Sequence, residues 1–272
     1  MLWHQLLINQ EQKLERAALR SATGVAVVHP RFRRVVRELG ADDAAVVEIR
    51  NWNQARLTPG LDRATARRAR ALPATDTIVV HAGNMGAKQG LENVVAAARL
   101  AQTRGLDMHF YLVGDGNRRS ALEESAVDVA SHLTFVDPLP DDEFHEFLSS
   151  ADVLLVNQQA GVLEMSVPSK LTTYFSLGIP VVAAVAEAGI TADEIRAAGA
   201  GEVVAPDRPE ALVDAVERLV ADPGRTDRFR QAALAFVDGL SVDASMTRFD
   251  AWLRRLDSSM PTREDRADVR PR

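Results

Sequence analysis

The sequence predicts an α/β protein: a doubly wound, parallel six-stranded sheet over residues 75–240, accompanied by part of a second α/β domain. Three observations predict it. Short runs rich in β-branched residues alternate with stretches of helical periodicity. The runs are nearly continuously apolar, as strands covered on both faces must be. Six such strand–helix pairs follow one another, and strands separated by helices imply right-handed crossovers and a parallel sheet.

The elements follow in order. Residues 11–20 have helical spacing, 24–28 read as a strand, 31–39 as a helix and 46–49 as a strand. Two strands and two helices are too little for an independent α/β domain, so residues 1–56 read as the remnant of one. Residues 57–74, rich in Arg, Ala and Pro, read as a linker. The first strand of the main sheet is 77–82, running into Gly83-Asn84-Met85-Gly86-Ala87-Lys88-Gln89-Gly90, with Leu91, Val94, Val95 and Ala98 spaced as a helix face behind it. The strand at 108–113 stops at Gly114-Asp115-Gly116 and is followed by a helix near 118–126. Then come strand 133–136, helix 141–149, strand 152–156, helix 169–177, strand 180–184, helix 191–198, strand 202–204 and helix 209–220. Residues 225–238 and 241–257 read as two closing helices. Residues 258–272 lack an apolar pattern and read as a disordered tail.

Composition narrows the function. The chain has 272 residues, 46% of them hydrophobic and 26% charged, which suits a globular protein with a real core. Cysteine is absent, removing disulfides, thiolate metal sites and a cysteine nucleophile. A net charge of −6 argues against nucleic acid as a partner, because duplex binding leaves a basic footprint. The longest apolar runs fall far short of the roughly 18 residues of a membrane span. The first ten residues lack the basic start and unbroken apolar stretch of a signal peptide. The expected compartment is the cytoplasm, with peripheral attachment at the inner face of the membrane as a variant. Trp3, Leu6, Leu7 and Leu14 predict an exposed apolar face at the N-terminus, hence a partner chain or self-association.

In an open parallel sheet a ligand binds beyond the carboxyl ends of the strands, where the strand order reverses. With the common order 3-2-1-4-5-6, that crevice lies between the first and fourth strands. One wall is the loop 83–90, the other the segment 157–168 with the helix that opens at Ser169. The chain holds only three lysines, Lys13, Lys88 and Lys170, among 32 basic residues. Two of the three flank this crevice. Lysine is a compact charge suited to phosphate, and a helix N-terminus adds unpaired N–H groups and a partial positive charge. Lys170 in a first helical turn opposes the macrodipole, which points to an anion nearby. Gly83, Gly86 and Gly90 let a ligand approach the backbone.

Other chemistries have little support. The glycine spacing is neither G-x-G-x-x-G nor a Walker loop. The six histidines lack metal-ligand spacing, and His81 and His109, in or beside strands, read as structural. No D-x-D pair offers to hold a metal–diphosphate, and no G-x-S-x-G elbow is present. Glu123-Glu124 and Asp141-Asp142-Glu143 read as charges favoured by helix N-terminal halves. Glu164 stands apart, as an acid in the crevice loop.

These residues resemble a family. Residues 75–240 resemble the C-terminal, nucleotide-sugar-binding domain of GT-B glycosyltransferases of family 4, with a Rossmann-like fold. The segments Ala82–Glu92 and Val167–Phe175 are especially like the colanic-acid and O-antigen subgroup, the WcaI-like enzymes. Gly114-Asp115-Gly116 and Gly178-Ile179-Pro180-Val181-Val182-Ala183 match further family stretches. The helix at 241–257 resembles the family's crossing helix, and 1–56 the end of its acceptor-side domain.

The resemblance implies transfer of a sugar from a nucleotide diphosphate sugar, a UDP-sugar being favoured, with retention and without a metal or other cofactor. The acceptor would be a glycan or lipid-linked molecule in polysaccharide biosynthesis. Gly83, Asn84 and Lys88 would contact the diphosphate; Ser169, Lys170 and Leu171 would hold phosphate and ribose; the segment from Val136 to Pro138 would border the base. Gly114 and Thr173 would also belong to the donor-binding set. Glu164 would be the catalytic-side glutamate, near the first of the family's E-x7-E motif. The chain departs from the pattern in three places. Asn84 stands where many members carry arginine, and Thr173 where the motif's second glutamate falls. Eight residues before Thr173 lies Met165, so the match of Glu164 needs a gap. The resemblance covers the donor half; a partner chain supplying the acceptor half is one expectation. A non-catalytic nucleotide-sugar-binding module or an inactive fragment is the alternative, and a nucleotide-sugar epimerase fits the motifs less well.

Overall fold

The computed structural model describes residues 13–52, 62–163 and 169–259. The chain divides into two compact units, Met1–Trp52 with Leu240–Arg272, and Asn53–Gly239.

In the first unit, residues 13–21 form helix α1. Strand β1 (Val25–Val27) pairs in parallel with β2 (Val46–Glu48), Val25 opposite Val46. Helix α2 (Pro30–Glu38) connects them. His29 caps it, its Nδ1 accepting from Arg31 N at 3.2 Å, and Pro30 supplies the fixed φ that suits a first helical position. Arg33 donates to Asp43 at 2.8 Å and to Val46 O at 3.2 Å, holding the turn before β2. Helix α11 (Val242–Ser259) completes the unit; its buried Trp252 donates to Ala45 O at 3.1 Å. It runs past the expected end at 257 into the stretch read as a tail, whose remainder lies outside the described residues. Leu14 is strongly exposed, whereas Trp3, Leu6 and Leu7 lie outside the described residues.

The second unit carries the main sheet. Its strands are β3 (Thr77–Ala82), β4 (Met108–Val113), β5 (Leu133–Val136), β6 (Val153–Asn157), β7 (Val181–Ala184) and β8 (Gly201–Val204). The order is β5-β4-β3-β6-β7-β8, all parallel, so the first and fourth strands lie side by side as expected. Side chains alternate with the pleat. Val79, Phe110, Leu112, Val153, Leu155 and Val182 face helices α4 (Glu92–Arg104), α5 (Arg119–Ser125) and α9 (Pro209–Ala221). Ile78, Val80, Tyr111, Leu154, Val156 and Val181 face α6 (Asp141–Ser149), α7 (Ser169–Ser176), α8 (Ile190–Ala198) and α10 (Pro223–Asp238). Among the described residues no helix is long and apolar enough to cross a membrane.

Two differences from the sequence expectation have plain causes. Helix α10 starts two residues early because Asp222 caps it, accepting from Arg225 N at 2.9 Å, with Pro223 in its first turn. The stretch read as a connector contains helix α3 (Arg63–Ala69), capped by Asp62, which accepts from Thr65 N at 2.8 Å. Its buried face presents Arg67, an arginine 7% exposed. Arg67 donates to the carbonyls of Ser150 (2.9 Å), Ala74 (3.0 Å) and Asp76 (3.1 Å) and pairs with the carboxylate of Asp152. Asp152 in turn accepts from Ile78 N at 2.7 Å, so one guanidinium ties α3 to the entrances of both β3 and β6.

Candidate functional site

The carboxyl ends of β3, β4 and β5 are stitched together. Gly83 N donates to Val113 O (2.8 Å), Gly114 N to Val136 O (2.9 Å) and Met85 N to Asp115 O (2.8 Å). The approach is so close that a Cβ on Gly114 would stand 2.2 Å from Gly83 O, and Gly114 has φ +129°, where side chains are strained. We therefore expect Gly114→Ala to lower the free energy of unfolding by about 2–3 kcal/mol, read as a shift of the urea midpoint. Arg119 spans the β4 and β5 loops, donating to Gly114 O (3.0 Å) and pairing with Asp137 (2.7 Å). That holds the segment carrying Val136, half-buried, and Pro138, exposed.

Across the reversal point, Asn157 at the end of β6 closes the other wall. Its Nδ2 donates to Gln89 O (2.7 Å) and Gly90 O (2.8 Å), and its Oδ1 accepts from Asn93 Nδ2 (2.8 Å). Gln159 N donates to Lys88 O at 3.0 Å. The loop after β3 is thus pinned on both sides, with Asn84 and Lys88 exposed on it. Beside it, Gln158 accepts from the buried Thr191 hydroxyl at 2.9 Å.

Helix α7 is docked by its own sequence. Leu171, Tyr174 and Phe175, at i, i+3 and i+4, enter the core. The Tyr174 hydroxyl accepts from Ala82 N at 2.9 Å, fixing α7 to the end of β3; burial pushes that phenol up. The rest of the helix presents exposed Ser169 and half-buried Thr173, with half-buried Lys170 one turn before Tyr174 at the margin of the core face. Leu171, with its side chain in the core, offers a ligand only its backbone.

Lys170 carries the chemistry. Its ammonium lies against Gly83, 3.3 Å from where a Cβ would stand, so the missing side chain makes its seat. Nζ lies 3.3 Å from Nε2 of the fully buried His81, whose Nδ1 is 3.1 Å from Leu155 O. Burial pulls Lys170 from its ordinary 10.5 to about 8, so it remains mostly cationic at neutral pH. Burial, with the Lys170 charge second, holds His81 well below its ordinary 6.5, so the imidazole is neutral. A cation is therefore held half-buried, in a first helical turn whose dipole opposes it.

The structure brings Gly83, Asn84, Lys88, Gly114, Ser169, Lys170 and Thr173 to the carboxyl end of the sheet, around the reversal point. Glu164, with Met165 to Pro168, lies outside the described residues. The sequence reading took His81 as structural, and it is buried against a backbone carbonyl here, but it gave no place at the site to His81, Asn157 or Tyr174. The signal available for the first two was a polar residue within an otherwise apolar strand. A separate hollow of about 850 Å³ lies at the amino ends of β6 and β7, lined by Asp152, Val153, Pro180, Asp227 and Arg230 among others. It is distant from the strand ends where open sheets bind ligands, and α3 borders it through Arg63.

Residues 62–236 match the family described as glycosyl transferases group 1. Over 235 residues the chain is 28% identical to WcaI of Escherichia coli (strain K12), named for colanic acid biosynthesis glycosyl transfer; the match covers 84% of this chain and 57% of WcaI. It is 26% identical over 161 residues to the alpha-D-kanosaminyltransferase of Streptomyces kanamyceticus, covering 57% of this chain and 39% of that one. Its fold is similar to that of Anabaena HepE, solved with UDP and glucose (TM-score 0.71, 18% identity, 92% of this chain and 67% of that one). It is also similar to that of sucrose-phosphate synthase from Thermosynechococcus elongatus (TM-score 0.72, 22% identity, 93% and 63%). The chain spans about half the length of the curated relatives it matches.

Proposed function

Because the chain belongs to the glycosyl transferases group 1 family, we propose that it carries the donor-binding half of a glycosyltransferase, binding a nucleotide diphosphate sugar where the sheet order reverses. The observation that carries this is Lys170, a cation seated against Gly83 in the first turn of α7 and paired with no carboxylate among the described residues. An anion there would meet the ammonium and the positive end of the α7 dipole together. The proposed diphosphate lies between Lys170 and the loop carrying Gly83, Asn84 and Lys88. Ser169 and Thr173 face the phosphate and ribose, and the Val136–Pro138 segment borders the base. HepE, solved with UDP and with UDP-glucose, supports a uridine nucleotide as donor.

Transfer is proposed to proceed with retention, without a metal, to a glycan or lipid-linked acceptor held by an acceptor-binding half, whichever polypeptide supplies it. Glu164 is proposed to act beside the sugar. Closing two halves on donor and acceptor would exclude water from the reacting atoms.

The test is a panel of UDP-, GDP- and TDP-sugars offered to the purified chain. One base is expected to protect the fold against heat at micromolar concentration. If a folded chain shows no response to any of them, the proposal fails.

The site also sets a pH dependence. Above pH 8 Lys170 loses its proton, so nucleotide affinity should fall, approaching about tenfold per pH unit if only the ammonium binds. His81 is already neutral there, Tyr174 is pushed up out of range, and the terminal phosphate is ionised above about pH 6. Fold stability moves the other way: the unfolded chain holds the Lys170 proton more tightly, so stability should rise between about pH 8 and 10.5. Titrations from pH 7 to 9.5 read both slopes.

A further inference from the structure

We propose that His81 is a positioning residue: Leu155 O fixes its tautomer so that Nε2 accepts from Lys170, aiming the ammonium at the diphosphate of the donor. This rests on the nucleotide-sugar reading above and adds to it a residue buried beneath the site.

The geometry decides the direction of each bond. Leu155 O is only an acceptor, so the His81 nitrogen 3.1 Å from it must carry the proton. Neutral imidazole has one proton, so Nε2 presents a lone pair, and the Lys170 ammonium 3.3 Å away is its donor. His81 lies on the central strand, fully buried and pinned by β6, so Nε2 is a fixed point. Lysine has a long flexible stem and no intrinsic direction. One N–H held by Nε2, with Nζ and its methylene packed on Gly83, keeps the ammonium at the start of the loop after β3. A carboxylate in place of His81 would cancel the charge; a neutral acceptor directs it and leaves it intact for phosphate.

The test compares UDP with uridine on the full chain. His81→Phe keeps the ring and removes the acceptor. It is expected to lose roughly three- to tenfold in UDP affinity, the range of a single hydrogen bond, with uridine affinity within about twofold. His81→Gln, which restores an acceptor, should recover most of the loss. In the Lys170→Ala background, His81→Phe should cost UDP affinity nothing further. Equal losses for UDP and uridine, or a loss that persists without Lys170, overturn the proposal. So does unchanged UDP affinity. Wild-type protein that binds neither ligand overturns the nucleotide reading itself, a distinct result. Should His81→Phe not fold, nitrogen NMR of the wild type decides: a proton on Nδ1 and an Nε2 resonance that moves with UDP are expected, and a proton on Nε2 contradicts the assignment.

Discussion

Lys170→Ala should weaken UDP binding roughly ten- to a hundredfold, the worth of a hydrogen bond to a charged group, and leave a folded protein. The size follows from where the ammonium sits. A surface lysine gains little from phosphate because water screens both charges. Lys170 loses part of its hydration to burial, which lowers its pKa to about 8, so an anion would regain what the fold gives up. The alanine removes a cation from an unfavourable first helical turn but leaves the buried His81 Nε2 without its donor. The two effects oppose each other, so the apo protein should stay folded with only a modest change in melting temperature as affinity drops. A large loss of affinity with a near-unchanged melt separates loss of a ligand contact from damage to the fold. Lys170→Arg should not restore binding, because the guanidinium does not fit the seat on Gly83 or the single acceptor of His81. Calorimetric titration with UDP, alongside a melting curve, reads both effects.

Arg67→Ala should cost about 3–5 kcal/mol of unfolding free energy, the usual consequence of removing one partner from a buried ion pair. The guanidinium satisfies the carbonyls of Ser150, Ala74 and Asp76 as well as Asp152, and none of these gains an alternative donor when it is cut away. Asp152 would keep Ile78 N and the outer ion pair with Arg63, which cannot reach the three carbonyls from its exposed position. Arg67→Lys should recover little, since one ammonium cannot span four acceptors in a planar fork. The urea midpoint of each variant measures this, with an unchanged slope expected if folding stays two-state.

The contrast between these two residues shows what the sequence discloses. The four central strands were legible because each is covered on both faces, and that burial is written as runs rich in Val, Ile, Leu and Ala, while β5 and β8 at the sheet edges are mostly half-buried. The order of all six, taken as the common 3-2-1-4-5-6 that sets the first strand beside the fourth, stands in the structure. Lys170 was legible through scarcity, one of three lysines among 32 basic residues, in a first helical turn where a cation is unfavourable. Arg67 was not. Helix α3 has no apolar stripe, its buried face being built on an arginine, and a run of arginines and alanines reads as solvated. Ala and Arg are nonetheless good helix formers, and Asp62 three residues before Thr65 was a cap signal that could have found it. His81 was hidden for a different reason. Its partner is 89 residues away, and only the pairing of β3 with β6 and the docking of α7 bring Leu155 and Lys170 to its two nitrogens. The family resemblance supplied the roles proposed for Asn84, Ser169 and Thr173; the structure supplies their neighbourhood.

A crystal structure of the chain grown with UDP is the most direct test of the claim that the reversal point of the sheet is the donor site. The diphosphate is expected within hydrogen-bonding distance of Lys170 Nζ, against the loop from Gly83 to Lys88, with uracil toward Val136 and Pro138. Nucleotide density in the hollow at the amino ends of β6 and β7, or a diphosphate remote from Lys170, would contradict it.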